Sequence, residues 1–309
     1  MAAASADSLK GVANALLEQS YAIFEAPTAV LDVATAILRE GATFFALPLE
    51  QKRATASDVD DLEGYRGFGA ELDPETGLKD LSEGFRVWWR NADSDRVRRW
   101  GRKSQLHRVM ASGLEPFSEL AEQILLTLKA EVGTGGGNDG APISIRRLSY
   151  LQQNFYRPAE HADGGRTNVM ETHEDGHLLT IVKPNAPGLI VSAREMIAPP
   201  TRDNPRGCYE PKGNFVEIEV GAREVVVIPS SPTCLMTGGL VRPLWHGVRN
   251  KGDRSRQSLM LFVNPDPAIP LEPWVKNDRF TGADVHEVVE IMSGQYGQAP
   301  LSKVHSCAS

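Results

Sequence analysis

Cysteine is nearly absent from this chain. Cys208, Cys234 and Cys307 are odd in number and show no paired spacing, which excludes a disulfide framework and a cysteine zinc site and suits a reducing compartment. Long apolar runs are missing too, so no segment can span a bilayer, and the opening MAAASADSLKG lacks the basic and apolar regions of a secretory signal. The expected location is therefore cytoplasmic. Basic runs are also lacking. Lys and Arg number 33 against 40 Asp and Glu, for a net charge of −7, which argues against nucleic acid or an anionic membrane as partner. Repeats, heptads and low-complexity tracts are absent. What remains is a chain of 309 residues, 41% hydrophobic, long enough to bury a sizeable core and expected to act on a small molecule as a monomer or homodimer.

Its periodicities divide it. Apolar residues recur at helical spacing over 8–21 (Leu9, Val12, Leu16), 28–46 (Leu31, Ile37, Phe44, Phe45) and 103–131 (Leu106, Met110, Leu120, Leu125, Leu128). The glycine-rich stretch 132–140 punctuates the chain. Short β-branched runs bounded by turn residues follow, giving expected strands at 143–156, 178–184, 188–194, 214–220, 224–229, 241–249 and 256–264. Such a series predicts a mainly β double-sheet jelly roll, or double-stranded β-helix, with helices docked outside. The expected organisation is one catalytic domain over 1–309: a helix-rich part (1–131), a jelly-roll core (142–266) and a C-terminal helix and tail (267–309). The Pro- and charge-rich stretch 195–213 reads as a long connection of the kind that covers sites.

The residues that carry chemistry are spread over the second half. His173 and Asp175 stand in THEDGHLLTIV, His246 in RPLWHGVRN, and Arg256 and Ser258 in RQSLMLFVNP. Two imidazoles and a carboxylate occupy one face of an octahedral Fe(II) and leave three positions for other oxygens. An arginine and a hydroxyl just beyond the second His can hold a carboxylate beside the metal. The first pair alone is weak, since seven His and 40 acids in 309 residues give about one His-x-Asp/Glu triplet by chance. A competing pair does occur, His161 and Asp163, but in a polar stretch with nothing to fix two ligands. His173 and Asp175 instead lie at the mouth of the apolar run LLTIV.

At these residues the chain resembles the Fe(II)- and 2-oxoglutarate-dependent dioxygenases of the plant-type group that includes isopenicillin N synthase. SYAIFEAP, FFALPLEQK and GYRGF (64–68) are similar to the family's N-terminal strand, Phe-Leu-Pro segment and Gly-Tyr segment; LQQNFYRP carries its Asn-x-Tyr pair, and VNPDP its strand ending. The resemblance covers nearly the whole chain. It implies that His173, Asp175 and His246 ligate Fe(II) and form the catalytic centre. It implies further that Arg256, Ser258, Tyr156 and Asn154 bind the cosubstrate 2-oxoglutarate. The implied reaction consumes O2, releases succinate and removes hydrogen from a small substrate by hydroxylation, desaturation or cyclisation in specialised metabolism. His177 stands where many relatives have Gly, and Ser230-Ser231 replaces the usual Gly-Asp turn.

Two other readings stand beside this one: an iron oxidase that uses no 2-oxoglutarate, as isopenicillin N synthase does, and a jelly-roll binding protein without turnover. Of the remaining candidates, Trp88 and Trp89 are adjacent and diverge, which favours packing roles. Arg66 and Arg90 are candidate partners of a substrate carboxylate, against the commoner role of a lone Arg as a solvated surface group, and the resemblance makes Tyr65 a candidate lid or pocket residue. His177 is expected outside the ligand set, and Cys234 as a small buried hydrophobe. Specificity is expected in 64–92, in 195–213 and in the C-terminal helix near 281–294.

Overall fold

A computed structural model describes residues 4–56, 63–70, 73, 76–92, 104–133, 143–158, 166–249 and 254–295. The His161/Asp163 pair, His305, Cys307 and most of the loop expected at 132–140 lie outside them. The three long expected helices form: α1 (Ala6–Gln19), α2 (Thr28–Phe45) and, after the short α3 (Leu49–Arg53) and α4 (Trp89–Ala92), α5 (Gln105–Val132). Ser5 and Ser104 cap α1 and α5, each accepting from a backbone N–H three residues on, at 3.2 and 3.3 Å. The helix-rich first part also supplies strands β1 (Ala22–Glu25), β2 (Gly64–Arg66) and β3 (Ser82–Trp88). Of these, periodicity discloses none, although the family resemblance anticipates β1. Every residue of β3 is buried, so the alternation of apolar and polar residues that marks a half-exposed strand is missing.

The second part contributes β4 (Tyr150–Tyr156), β5 (Asn168–His173), β6 (Leu179–Pro184), β7 (Leu189–Ala198), β8 (Cys208–Pro211), β9 (Val216–Ile218), β10 (Glu224–Pro229), helix α6 (Ser231–Met236), β11 (Leu244–Arg249) and β12 (Arg256–Val263). Helix α7 (Val285–Gln295) follows. Expected strands are shortened where turns intrude: 143–156 begins only at Tyr150, 214–220 keeps three residues, and 241–249 starts at Leu244. The stretch 195–213 is no plain connection, because β7 runs on to Ala198 and folds back to pair with β8. Strand β5 is not among the expected strands; the first ligand candidate ends a strand of its own and does not merely precede β6.

Two antiparallel sheets make the jelly roll. The larger has the order β1-β10-β6-β12-β4-β3-β2 and the smaller β5-β11-β7-β8, with β9 also on β7. Residue parity sorts the large sheet. On β12, Leu259, Leu261 and Val263 face outward into the cluster formed with α1, α2 and α5, whereas Met260 and Phe262 face inward, between the sheets. Burying each such aliphatic side chain contributes roughly 1.5–3 kcal/mol. The helices thus stabilise the sheet from outside, and its inner face is free to carry polar groups. Trp88 and Trp89 diverge accordingly: Trp88 stacks inside on Tyr150, ring centroids 4.1 Å apart, while Trp89 donates Nε1–H to Ser118 at 2.7 Å. Cys234 is buried in α6, where burial pushes its thiol up to about 12. No helix among the described residues is long and apolar enough to cross a membrane.

Candidate metal centre and its cavity

Strand register brings the candidate ligands together. In the β5/β11 ladder the partner of His246 is His173, so two imidazoles distant in sequence stand side by side, ring centroids 4.6 Å apart. Asp175 comes from the turn after β5, and its Oδ1 lies 3.4 Å from His173 Nε2 and 3.5 Å from His246 Nε2. Ligand atoms of all three lie within 4.8 Å of one another, the one such group among the described residues. His173 Nδ1 is 2.9 Å from the Glu171 carbonyl oxygen, which can only accept, so Nδ1 carries a proton and Nε2 faces inward. Thr180 of β6 donates to Asp175 Oδ2 at 2.5 Å, leaving Oδ1 toward the imidazoles.

The electrostatics suit a cation. Burial alone would lower His173, but Asp175 beside it carries it up to about 9. Burial pulls His246 down to about 4, against the same carboxylate. Burial would raise Asp175, yet the two imidazoles hold it well below the carboxylate range. One buried negative charge facing two nitrogen donors is a site that favours positive charge at its centre. The nitrogen and oxygen donors, with no thiolate, match a borderline divalent ion such as Fe(II).

The turn that carries Asp175 is held from two sides. Glu174 accepts from the Ser231 backbone N–H, and from the Ser231 hydroxyl at 3.0 Å. Ser231 thus anchors the ligand turn through both its backbone N–H and its hydroxyl. On the other side Gly176, at φ 73, packs against α7: a Cβ there would sit 2.2 Å from Met292 Cβ. Gly176→Ala is therefore expected to displace the turn, adding about 1–2 kcal/mol of left-handed strain to the collision. Fe(II) affinity should fall at least about tenfold, as on loss of an outer partner, with far-UV circular dichroism unchanged. Calorimetric titration checks this, and wild-type affinity in the variant would show that the turn does not position Asp175.

The cavity beside the trio is walled by inner-face residues of the large sheet, among them Arg86, Tyr150, Gln152, Asn154, Met260 and Phe262. His177 also lines it, outside the ligand group, with Nδ1 2.8 Å from Asn264 Oδ1 and Nε2 3.3 Å from the Tyr150 hydroxyl. The rows of the sheet place the other candidates. Ser258 pairs with Asn154, and Arg256 with Tyr156 one row beyond. The cavity reaches Asn154; Arg256, Ser258 and Tyr156 lie fully buried behind it.

Arg256 is the informative member. Its Nε donates to the Pro187 carbonyl at 3.0 Å, Nη1 donates to Ser258 Oγ, and its plane lies over the Tyr156 ring, 5.4 Å from the centroid. Nη2 is buried with no hydrogen-bond partner. Burial pushes this guanidinium down. An orphaned donor on a buried cation is costly unless an anion meets it, and the forked guanidinium with an adjacent hydroxyl fits a carboxylate.

Several expectations resolve differently. Arg66 lines a smaller adjoining cavity with Gly84 and Asn154, Arg90 lies over the Trp88 ring at 4.1 Å, and Tyr65 points outward to Glu83. The arginine on the main cavity is Arg86, which is not among the sequence candidates; β3 is buried throughout and shows no period of two, so the sequence holds no signal that ranks it above Arg66 or Arg90. Thr180 and Asn264 carry no signal in the sequence, because their partners come from other elements.

No model of a known protein family matches the chain. It is 24% identical to jasmonate-induced oxygenase 4 of Arabidopsis thaliana over 241 residues, 74% of this chain and 60% of that protein. Among solved structures, a full-length Neurospora crassa protein in complex with α-ketoglutarate superposes with a TM-score of 0.68 at 13% identity, covering 93% of this chain and 90% of that one. The dioxygenase for auxin oxidation 1 of Arabidopsis thaliana, in a 2-oxoglutarate complex, gives 0.61 at 17%, covering 88% and 95%. The architecture is thus the double-stranded β-helix of the 2-oxoglutarate-dependent oxygenases.

Proposed function

We propose that this chain is an Fe(II)- and 2-oxoglutarate-dependent dioxygenase acting on a small molecule. In this reading His173, Asp175 and His246 would hold Fe(II), and Arg256 with Ser258 would grip the distal carboxylate of 2-oxoglutarate, with Tyr156 and Asn154 closing that end. The observation that carries it is the pairing of a buried two-His, one-carboxylate group with a buried guanidinium whose Nη2 has no partner, both facing the space between the sheets. The bound metal and keto acid would supply O2 activation coupled to oxidation of a substrate C–H bond. The chain's own residues do the rest. Thr180 and the Glu171 carbonyl orient two ligands, the buried wall of Met260, Phe262 and Tyr150 excludes water, and Arg256 fixes the cosubstrate's direction.

Hydroxylation, desaturation and cyclisation all start from the same ligand set. Asp175 fills the position a halide would need, which disfavours halogenation. With Cys208 and Cys234 both free thiols, we place the enzyme in the cytoplasm, in a specialised pathway. The test is anaerobic addition of Fe(II) and then 2-oxoglutarate, watching for the weak visible charge-transfer band of a chelated keto acid. A band followed by O2-dependent succinate release supports the assignment. Iron binding without a band removes 2-oxoglutarate and gives Arg256 to a substrate carboxylate, as in an iron oxidase.

A further inference from the structure

The geometry points to Tyr209, on the β7–β8 hairpin, as a positioning residue of the metal centre: one side chain that braces the chain neighbours of two ligands at once. This deepens the oxygenase reading and rests on its metal assignment. Tyr209 pairs with Met196 across the hairpin, and both join the buried cluster that holds Cys234, Leu235 and Met236 of α6. The Tyr209 ring stands edge-on to Trp245, centroids 4.6 Å apart and planes at 64°. Trp245 is buried and directly precedes His246 on β11, turned to the opposite face of the small sheet. The Tyr209 hydroxyl reaches the other way, to Ser231 Oγ at 2.7 Å.

Ser231 passes that contact on to the ligand turn. Ser230 occupies the cap position of α6 but makes no side-chain cap bond, and its own hydroxyl is buried without a partner. Glu174 supplies the cap from outside the helix, accepting from the Ser231 N–H, and it also accepts from the Ser231 hydroxyl at 3.0 Å. The one proton of that hydroxyl goes to Glu174, so Tyr209 donates to Ser231 Oγ. Tyr209 also acts on the Glu174 carboxylate as a hydrogen-bond donor. Glu174 is buried between His173 and Asp175 in the chain and turned away from the cavity. Strand β5 ends at His173, so Asp175 has no ladder to fix its backbone, and its direction follows from how Glu174 and Gly176 are held. The exposed ion pairs of the hairpin, Glu195 with Lys212 at 2.5 Å and with Arg279 at 2.9 Å, are screened by solvent and add little to that hold.

The experiment uses the full chain and metal alone, without oxygen: Fe(II) for affinity by calorimetry, and Co(II) for its visible bands, which report the geometry of the ligand set. Tyr209→Phe keeps the ring on Trp245 and removes the hydroxyl. It is expected to lower Fe(II) affinity about tenfold, the lower end of the range for outer partners of ligands, and to shift the Co(II) bands. Lys212→Ala loosens the exposed rim of the hairpin away from Tyr209 and should leave affinity and bands at wild-type values. Ser231→Ala should weaken Fe(II) binding likewise. The double variant should fall well short of the product of the two single losses, since both hydroxyls act on one carboxylate. Wild-type affinity and bands in Tyr209→Phe, or a fully multiplicative double variant, overturns the proposal. So does an equal loss in Lys212→Ala, which would make the effect one of hairpin stability. Should Tyr209→Phe fail to fold, Ser231→Ala carries the same readouts, and wild-type values there overturn the proposal as well. Failure of the oxygenase reading has its own signatures: a missing 2-oxoglutarate band with metal bound removes the cosubstrate and leaves Tyr209 its role, whereas a wild-type protein that takes up neither Fe(II) nor Co(II) removes the metal centre and that role with it.

Discussion

Replacement of His246 by alanine is expected to abolish Fe(II) binding at micromolar metal, a loss of more than about 100-fold, since even outer partners of ligands cost 10- to 100-fold. The reason lies in how the three groups depend on one another. Asp175 Oδ1 is 3.4 Å from one imidazole nitrogen and 3.5 Å from the other, so removing one leaves a carboxylate and a single nitrogen, too few to hold the ion on one face. His173→Ala should behave alike. His246 sits in β11 between β5 and β7, so a folding control is needed. The measurement is anaerobic calorimetry with Fe(II), alongside circular dichroism. Native-like spectra with undiminished metal affinity would take the residue out of the centre. His161 and Asp163 provide the opposite control, because their replacement should leave Fe(II) affinity intact.

Arg256→Ala is expected to weaken 2-oxoglutarate by about 10²-fold while leaving Fe(II) affinity in place, because a buried carboxylate would lose its charged partner. The two effects separate because Arg256 stands on β12, in the large sheet, while His173 and His246 belong to the small one. Arg256→Lys should recover only part of the loss. A lysine keeps the charge but cannot hold Pro187, Ser258 and a carboxylate at once from a rigid plane. Titration of the visible band against 2-oxoglutarate reads both variants. An unchanged midpoint in Arg256→Ala would mean that the buried guanidinium serves another anion.

These two experiments concern residues that are legible in the sequence, and for a physical reason. Coordination and carboxylate binding demand particular side-chain types, so His173, Asp175, His246, Arg256 and Ser258 stand out by identity and spacing. The long helices are legible because their outer faces are solvated and their inner faces are not, which writes the 3.6-residue period into α1, α2 and α5. Strand β3 is illegible because it is buried on both sides and carries no period of two.

Identity also fails where several residues of one type compete. Arg66, Arg86 and Arg90 all lie in the segment expected to set specificity, and charge cannot rank them. Only the pairing of β3 with β2 and β4 decides that Arg86 faces the main cavity, that Arg66 opens on a smaller one and that Arg90 covers Trp88. The same holds for Thr180 beneath Asp175 and for Asn264 beside His177. By itself the sequence determined the candidate donor residues, the charge and the period of the long helices. The tertiary structure alone decided which strand lies beside which and in what register, because those hydrogen bonds join residues far apart in the chain and a shift by one residue would turn every side chain to the other face.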